Sequence, residues 1–315
     1  MHLSYGSLLG SVEPVFMIVL AGLVIRRVGW LTAEADRSLL RVCVNVLMPC
    51  LIFDSIIGNP ALDRAENIVL PPLIGFASFF VGYMLALFAG RLMQLTDKQA
   101  RTFSFTTGSY NYGYIAIPLV QAFFSRETIG VLFTHNLGVE IAFWTIGVVI
   151  LTGSSAKRAW RKVFNPPVVA IVISVALNFL GGAHWLPRLA PATAHMLGQC
   201  AVPLALVLTG ATLADVLRTT HPRAFGIVPL GAIVLRLGIL PVLFLVTAKL
   251  LPCSIELKRV MVVQAAMPAA MLPIIFARHF DGDVDVAMQV VLATSVVGLL
   301  TIPWWIQAGF RFVGI

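Results

Sequence analysis

Two stretches of this chain decide its fold: TTGSYNYGYIAIP at residues 106–118 and QAAMPAAMLP at residues 264–273. Each places glycine or proline, together with polar side chains, inside a long apolar run. Proline removes a backbone donor and clashes with the preceding helical turn, while glycine adopts dihedral angles that other residues avoid. The two stretches therefore predict two transmembrane helices that are interrupted near mid-membrane. The alternative left open is that glycine and proline merely kink these helices, since both residue types are common in transmembrane segments.

The composition around these stretches excludes a water-soluble globule. Of the 315 residues, 59% are hydrophobic and only 11% are charged, whereas a soluble domain carries roughly 25% charged side chains. A membrane-spanning helix needs ~20 apolar residues, and the chain lacks the alternation of a membrane β-barrel. We therefore predict an all-α polytopic membrane protein with ten transmembrane helices. The apolar runs lie at about 12–28, 39–57, 68–92, 101–124, 128–151, 166–181, 192–214, 225–250, 258–279 and 286–309.

The basic residues indicate topology and not a nucleic-acid surface. The formal net charge is +8, but Lys and Arg never gather with aromatic residues into one patch, so no nucleic acid is expected as a partner. Counted over alternate loops, 14 Lys and Arg fall on one side of the membrane and 7 on the other. The positive-inside rule then places both termini outside the cytoplasm. We expect a multi-pass protein of the cell membrane.

An internal repeat divides the chain into two halves. Pro49 matches Pro203 at an offset of 154, and Pro118 matches Pro273 at an offset of 155. The basic stretch SSAKRAWRK at 154–162 lies between the halves. The predicted organisation is one five-helix repeat at 1–153, a short cytoplasmic linker at 154–163 and a second repeat at 164–315. Because five is odd, the second repeat is inverted in the membrane, an architecture typical of secondary transporters.

The interruptions themselves indicate an anion site. Two helices opened at mid-membrane expose the N-terminal ends of their second halves, and these ends carry partial positive charge. They attract an anionic group without any buried lysine or arginine. The hypothesis that follows is carboxylate binding where the fourth and ninth helices cross.

At these residues the chain resembles the auxin efflux carrier family, which includes the plant PIN-FORMED auxin transporters and bacterial malonate-carrier-like proteins. The matching segments are LMPCLIF at 47–53, SYNYGYIAIPLVQAFF at 109–124 and VVQAAMPAAMLPIIFARHF at 262–280. The resemblance covers essentially the whole chain. It implies two inverted five-helix repeats with crossed, broken helices four and nine, as in sodium/proton antiporters of the NhaA type and bile-acid symporters, and elevator-like alternating access. The long central loop of the plant transporters is missing here, which favours a carrier of small carboxylates in a bacterial inner membrane.

By this resemblance Asn111, Pro118 and Pro273 fall at the crossover, and Asn111 is expected to contact the substrate carboxylate. Gln264 lies inside the ninth-helix segment, at the repeat position of Ser109. The other buried amides are interpreted as ordinary interhelical contacts. The candidate substrate-binding residues are Asn111, Tyr112, Gly113, Pro118, Gln264, Pro268 and Pro273.

Three ionisable residues lie within spans, where a charge is expensive and therefore a functional candidate. Glu140 is the first candidate for coupling, since it could take up a proton; the alternative is a structural pair with His135 or Arg236. Asp54 could line the substrate route or lie at the membrane interface. Arg236 needs an acid or carbonyl partner, and ion pairing with Glu140 or Asp54 is weighed equally against substrate binding.

No enzymatic motif is found, and neither a cofactor nor a metal site is expected: the cysteines lack zinc-ligand spacing, and there is no GxSxG, HExxH or P-loop pattern. The predicted function is secondary active transport of a small organic anion, such as a malonate-like or auxin-like acid, driven by the membrane potential, a proton gradient or both. Two alternatives remain: a sodium-coupled organic anion symporter, and a membrane receptor that senses such a ligand without transporting it. The expected partners are that anion and the lipid bilayer; a coupling proton or sodium ion and a homodimeric assembly are left open.

Overall fold

The computed structural model describes residues 5–153, 159–219 and 226–315. Within these ranges all regular secondary structure is helical. The α-helices are, in chain order, α1 Tyr5–Arg27, α2 Ala33–Val42, α3 Met48–Ile56, α4 Glu66–Leu92, α5 Asp97–Gly108, α6 Ala116–Phe123, α7 Arg126–Ala142, α8 Val148–Thr152, α9 Pro166–Phe179, α10 Gly182–Trp185, α11 Leu189–Gln199, α12 Ala201–Thr219, α13 Ile227–Val234, α14 Leu240–Leu250, α15 Ile255–Ala265, α16 Leu272–His279 and α17 Val284–Val313.

Several of these helices join into longer segments that could cross a membrane. Six segments of the described chain are long and apolar enough to do so, and α9 is a shorter apolar helix. Their outer faces carry large exposed apolar side chains such as Leu73, Phe88 and Leu300, which suits contact with lipid. The prediction of an all-helical, polytopic membrane protein is confirmed. The six segments are Ala33–Ile56, Glu66–Leu92, Arg126–Thr152, Leu189–Arg218, Ile227–Leu250 and Val284–Val313.

Three of these segments contain a π turn, at Cys43–Leu47, Phe143–Gly147 and Leu235–Ile239. A π turn widens the helix locally and changes its hydrogen-bond pattern, and such turns recur near functional sites. In the third of them, the main-chain oxygen of Leu237 accepts a hydrogen bond from Nε1 of Trp305 at 2.7 Å. The indole of α17 therefore meets α13 and α14 at the point where their helical pattern changes.

The predicted linker lies partly outside the described residues, since 154–158 belong to none of the three ranges. The remainder of it forms a 3-10 turn at Ala159–Val163. Of the basic residues counted for topology, Lys157, Arg158 and Arg223 also lie outside the described ranges.

Reciprocal glycine contacts hold two of the helix pairs together. Gly75 of α4 and Gly138 of α7 each lie against a main-chain oxygen of the other helix, and Gly22 of α1 and Gly210 of α12 do the same. A Cβ atom at any of the four would overlap that facing backbone. In a membrane, helices associate through close packing, because lipid tails are as apolar as the side chains, so small residues at the contact bring the backbones together. These glycines therefore fix the spacing of both pairs.

We expect Gly138→Ala to destabilise the protein, because its Cβ would overlap the main-chain oxygen of Pro72. Overpacking of this kind costs about 1–3 kcal/mol. The thermal unfolding midpoint of the purified protein in detergent is the measurement. Gly10→Ala in α1 is the matched control, since a Cβ there meets no atom within 4 Å. Equal midpoints for the two variants would show that α4 and α7 are not in close backbone contact.

Candidate functional site

The chain leaves the helical conformation at both of the stretches that carry glycine and proline. Helix α5 ends at Gly108 and α6 begins at Ala116; α15 ends at Ala265 and α16 begins at Leu272. Pro118 and Pro273 lie in the first turns of α6 and α16. Proline is tolerated there because its missing N–H would have no partner within the helix. Both prolines therefore start the second half-helices instead of kinking a continuous one.

The two interrupted segments pair with each other. The N–H of Asn111 donates to the main-chain oxygen of Pro268 at 2.8 Å, and the N–H of Ala270 donates to that of Ser109 at 2.8 Å. Together these bonds make an antiparallel bridge between Tyr110 and Ala269. Inside a membrane no water would satisfy these main-chain groups. The pairing supplies the partners that the broken helices cannot supply for themselves.

Side chains complete the hydrogen bonding of the two breaks. The amide oxygen of Asn111 accepts from the N–H of Ile115 at 3.2 Å, and the hydroxyl of Thr294 accepts from the N–H of Ala269 at 3.2 Å. The Ser109 hydroxyl pairs with that of Tyr83 at 3.0 Å. Asn111 thus lies at the crossover as a residue that shapes the turn, and its side chain is almost completely buried.

A cluster of amide groups surrounds the carbonyl of Tyr112. Nδ2 of Asn136 donates to this oxygen at 3.1 Å and Nε2 of Gln264 at 3.3 Å; Nε2 of Gln264 also lies 3.2 Å from Oδ1 of Asn136. Gln264 is 0% exposed, and its Oε1 has no hydrogen-bond partner within the described chain. The same holds for Nε2 of His135. This cluster therefore retains polar atoms that a ligand could satisfy.

Open space lies beside Gly113, the residue that follows Tyr112. A Cβ atom placed on Gly113 would meet no atom within 4 Å, although the glycine lies between two tyrosines in the break. The Tyr112 and Tyr114 side chains are partly exposed, whereas Pro268 and Pro273 are buried. The side of the crossover that carries Gly113 is the side that could admit a small molecule.

Glu140 lies next to this cluster and accepts hydrogen bonds from three side chains. The Tyr112 hydroxyl donates to Oε1 at 2.6 Å, and Nε1 of Trp144 and Nδ2 of Asn165 donate to Oε2, each at 2.9 Å. Neither of the pairings considered from the sequence, with His135 or Arg236, occurs among the interactions of the described residues. Glu140 connects the first break to α7 and to the residue before α9.

Arg236 lies on the other side of Tyr110. It is completely buried, and its guanidinium carbon is 5.0 Å from the ring centre of Tyr110 and 5.8 Å from that of Phe244. No ion pair of the described residues involves it. It therefore approaches the crossover through aromatic rings and not through an acidic partner.

Asp54 is not part of this group. Its carboxylate pairs with Nδ1 of His195 at 3.0 Å, and its main-chain oxygen accepts from Arg126. Neither contact involves a residue of the two breaks. A groove of about 760 Å³ also lies away from the breaks, with walls formed mainly by α3, α9 and α11.

Sequence reasoning missed several residues that complete the cluster. The sequence presents Asn136 as an ordinary interhelical amide, yet it joins α7 to the first break and to Gln264 of α15. Trp144 lies four residues after Glu140, a spacing that puts both on one helical face and is visible in the sequence. Asn165 and Thr294 carry no local signal, because their contacts depend on how distant helices pack.

Neither break contains a charged side chain: residues 109–115 read SYNYGYI and residues 266–271 read AMPAAM. The residues before α6 and α16, Ile115 and Met271, provide no side-chain cap. Of the first N–H groups of these helices, those of Ile117 and Ile274 donate to the main-chain oxygens of Gly113 and Met271 at 2.8 and 3.0 Å. No acidic side chain lies in either first turn to offset the partial positive charge of the helix N-terminus, about half an elementary charge. The electrostatics of the crossover favour an anion.

Comparison with known proteins agrees with this picture. The model of a family described as membrane transport protein matches residues 7–306. An uncharacterised transporter from Methanothermobacter thermautotrophicus is 27% identical over 304 residues, which cover 94% of this chain and 98% of the relative. An uncharacterised transporter from Methanocaldococcus jannaschii is 24% identical over 300 residues, covering 92% and 95%. Since transporters are not enzymes, the expectation of a non-enzymatic membrane protein is confirmed. The chain belongs to the membrane transport protein family, which is the auxin efflux carrier family that its sequence resembles.

Proposed function

We propose that this transporter is a secondary active carrier of a small organic anion, a carboxylate such as a malonate-like or auxin-like acid. The observation that supports this most directly is the hydrogen-bonded pair of interrupted helices, with two half-helix N-termini that lack a side-chain cap and no charged side chain in either break. Discontinuous helices of this kind bind substrates in secondary transporters, with the positive helix ends directed at anionic groups.

We further propose that the fold is two inverted repeats of five spans, 1–153 and 164–315, joined by a cytoplasmic linker. The order of the helices supports this proposal. In each half the fourth segment is the interrupted one, α5 with α6 in the first and α15 with α16 in the second. With ten spans and the 14 to 7 split of basic residues, both termini lie outside the cytoplasm of a bacterial inner membrane.

In the proposed site the anion lies at the crossover beside Gly113. The N-terminal amides of α6 and α16 attract its carboxylate, and Asn111 fixes the turn that holds the first break open. Gln264 and Tyr112 contribute polar atoms on the same side. Pro118, Pro268 and Pro273 keep the breaks in place, because their rings prevent the chain from closing into a continuous helix.

The proposed transport step is an elevator-like movement of the interrupted helices, with α4, α7, α13, α14 and α17, against α1, α3, α9, α11 and α12. The packing supports this division, since α1 packs along α12 and α3 against α9 and α11, whereas α4 packs against α5 and α7. Polar contacts cross between the sets at two places. Arg126 donates to the main-chain oxygens of Asp54 and Ile57 at 2.9 and 2.6 Å, and its own main-chain oxygen accepts from Nδ2 of Asn59 at 2.9 Å. At the second place Asn165 donates to Glu140. These are contacts that such a movement must break or carry along.

Flux in proteoliposomes tests the function. Purified protein should carry labelled malonate, another short carboxylate or indole-3-acetate in a saturable manner. For a monoanion, export from a negative interior should be faster, because each charge gains about 2.3 kcal/mol per 100 mV. Flux that requires a sodium gradient would favour the symporter alternative. Saturable binding without flux of any anion would favour the receptor and contradict the carrier.

Asn111→Ala should lower anion flux by roughly tenfold, the equivalent of about 1.4 kcal/mol, because the alanine cannot accept the N–H of Ile115 and the break loses its shape. The unfolding midpoint should change much less than the flux. The control is Asn45→Ala, because Nδ2 of Asn45 is bonded within its own helix to the oxygen of Arg41. Unchanged flux in Asn111→Ala would remove Asn111 from the proposed site.

Glu140→Gln should flatten the dependence of flux on external and internal pH if Glu140 carries the coupling proton. The amide is close in size and keeps an oxygen that can accept from Tyr112, but it does not titrate. Flux should be measured under imposed pH gradients at constant membrane potential. Glu13→Gln, at an exposed position of α1, is the control. An unaltered pH profile would show that Glu140 is structural.

A further inference from the structure

Arg236 is a buried cation to which the proposed carrier mechanism assigns no role. It is 0% exposed and lies in the π turn Leu235–Ile239. Its Nε and Nη2 atoms have no hydrogen-bond partner among the described residues. The described ranges include every aspartate and glutamate of the chain, and none of them forms an ion pair with Arg236.

The surroundings of Arg236 compensate its charge only in part. The faces of Tyr110 and Phe244 attract the guanidinium. However, the phenol oxygen of Tyr110 is engaged with the Ser78 hydroxyl at 2.9 Å, and Phe244 offers no oxygen. An arginine inside a membrane normally pairs with an acid or with main-chain carbonyls. Arg236 therefore has an unmet requirement for an acceptor that carries negative charge.

The two unpartnered atoms define the shape of that acceptor. Nε and Nη2 share one edge of the planar guanidinium, so their N–H groups point in parallel. Two parallel donors match the two oxygens of a carboxylate, and such bidentate pairs are stronger and more specific than single contacts. A spherical anion cannot satisfy both donors equally well.

A small cavity shares one residue, Phe244, with the surroundings of Arg236. The cavity, of about 110 Å³, lies between α4, α14 and α15 and is lined by Ser78, Leu240 and Phe244, among others. Phe244 thus borders the cavity and also covers the guanidinium of Arg236. Arg236 itself does not line this cavity and its Nε and Nη2 atoms are inaccessible, so a carboxylate reaches them only when the Phe244 ring moves aside.

We propose that Arg236 binds a carboxylate group along its Nε and Nη2 edge, beside Tyr110. Two sources share this chemistry: the transported substrate, or a separate small carboxylate that stays bound. The first rests on the carrier function proposed above, and the second does not. Tyr110 forms the antiparallel bridge with Ala269. A carboxylate bound beside Tyr110 therefore lies next to the crossover of the broken helices.

Thermal unfolding of the purified protein in detergent tests the site. At constant ionic strength, the wild-type midpoint should rise and level off with added malonate or acetate and should respond much less to chloride. In Arg236→Leu the carboxylate response should be lost, and in Arg236→Lys it should be weaker, because an ammonium lacks the paired edge. Arg259→Leu is the matched control: this arginine also lies on an aromatic ring, that of Phe124 at 5.3 Å, but is partly exposed. Its carboxylate response should equal that of the wild type.

Equal carboxylate responses in the wild type and in Arg236→Leu would overturn the proposal, and chloride as effective as malonate would overturn the carboxylate assignment. If Arg236→Leu does not fold, binding of labelled malonate to the wild type and to Arg236→Lys decides: equal affinities contradict the site, and weaker binding to the lysine variant supports it.

Flux in proteoliposomes shows whether the carboxylate at Arg236 is the transported substrate or a separate bound anion. Loss of malonate flux in the Arg236 variant assigns the carboxylate to the substrate, whereas retained flux with a lost thermal response assigns it to a separate anion. A wild type without flux of any anion, but with an Arg236-dependent thermal response, would contradict the carrier function and leave this site standing.

Discussion

The structure depends on one constraint: inside a hydrocarbon layer each main-chain N–H and C=O must find a partner within the protein. Continuous helices satisfy this constraint with hydrogen bonds between their own successive turns. The two interrupted segments cannot, and they meet it by hydrogen bonding to each other through Asn111, Pro268, Ser109 and Ala270. The crossover is therefore a structural necessity of the fold. Thr294 and Gln264 serve the same purpose at its margins.

This constraint explains which parts of the molecule were predictable. Glycine and proline act on their own backbone, so the positions of both breaks followed from the sequence, and so did the all-helical membrane fold. The hydrogen-bond partners of the side chains depend instead on packing between residues far apart in the sequence. Asn165 reaches Glu140 across 25 residues and Gln264 reaches Asn136 across 128, and no periodic pattern reports such contacts. The pairings considered as an alternative for Glu140, with His135 or Arg236, are therefore not among the observed contacts.

The family membership and the geometry of the crossover are independent observations. The family assigns transport to a chain of this length and composition. The site adds the chemistry: uncharged breaks, helix ends without a side-chain N-cap, and one buried arginine that lies against Tyr110 of the crossover.

The three π turns have an evolutionary consequence. Each accommodates one residue more than an α-helix of the same length, and a residue in an α-helix corresponds to a rotation of about 100°. Deleting a residue within Cys43–Leu47, Phe143–Gly147 or Leu235–Ile239 would restore a regular helix and preserve the faces on both sides of it. Elsewhere in a span, the same deletion would turn half of the helix away from its neighbours. Length changes of one residue, which transmembrane helices normally exclude, are thus admissible at these three places.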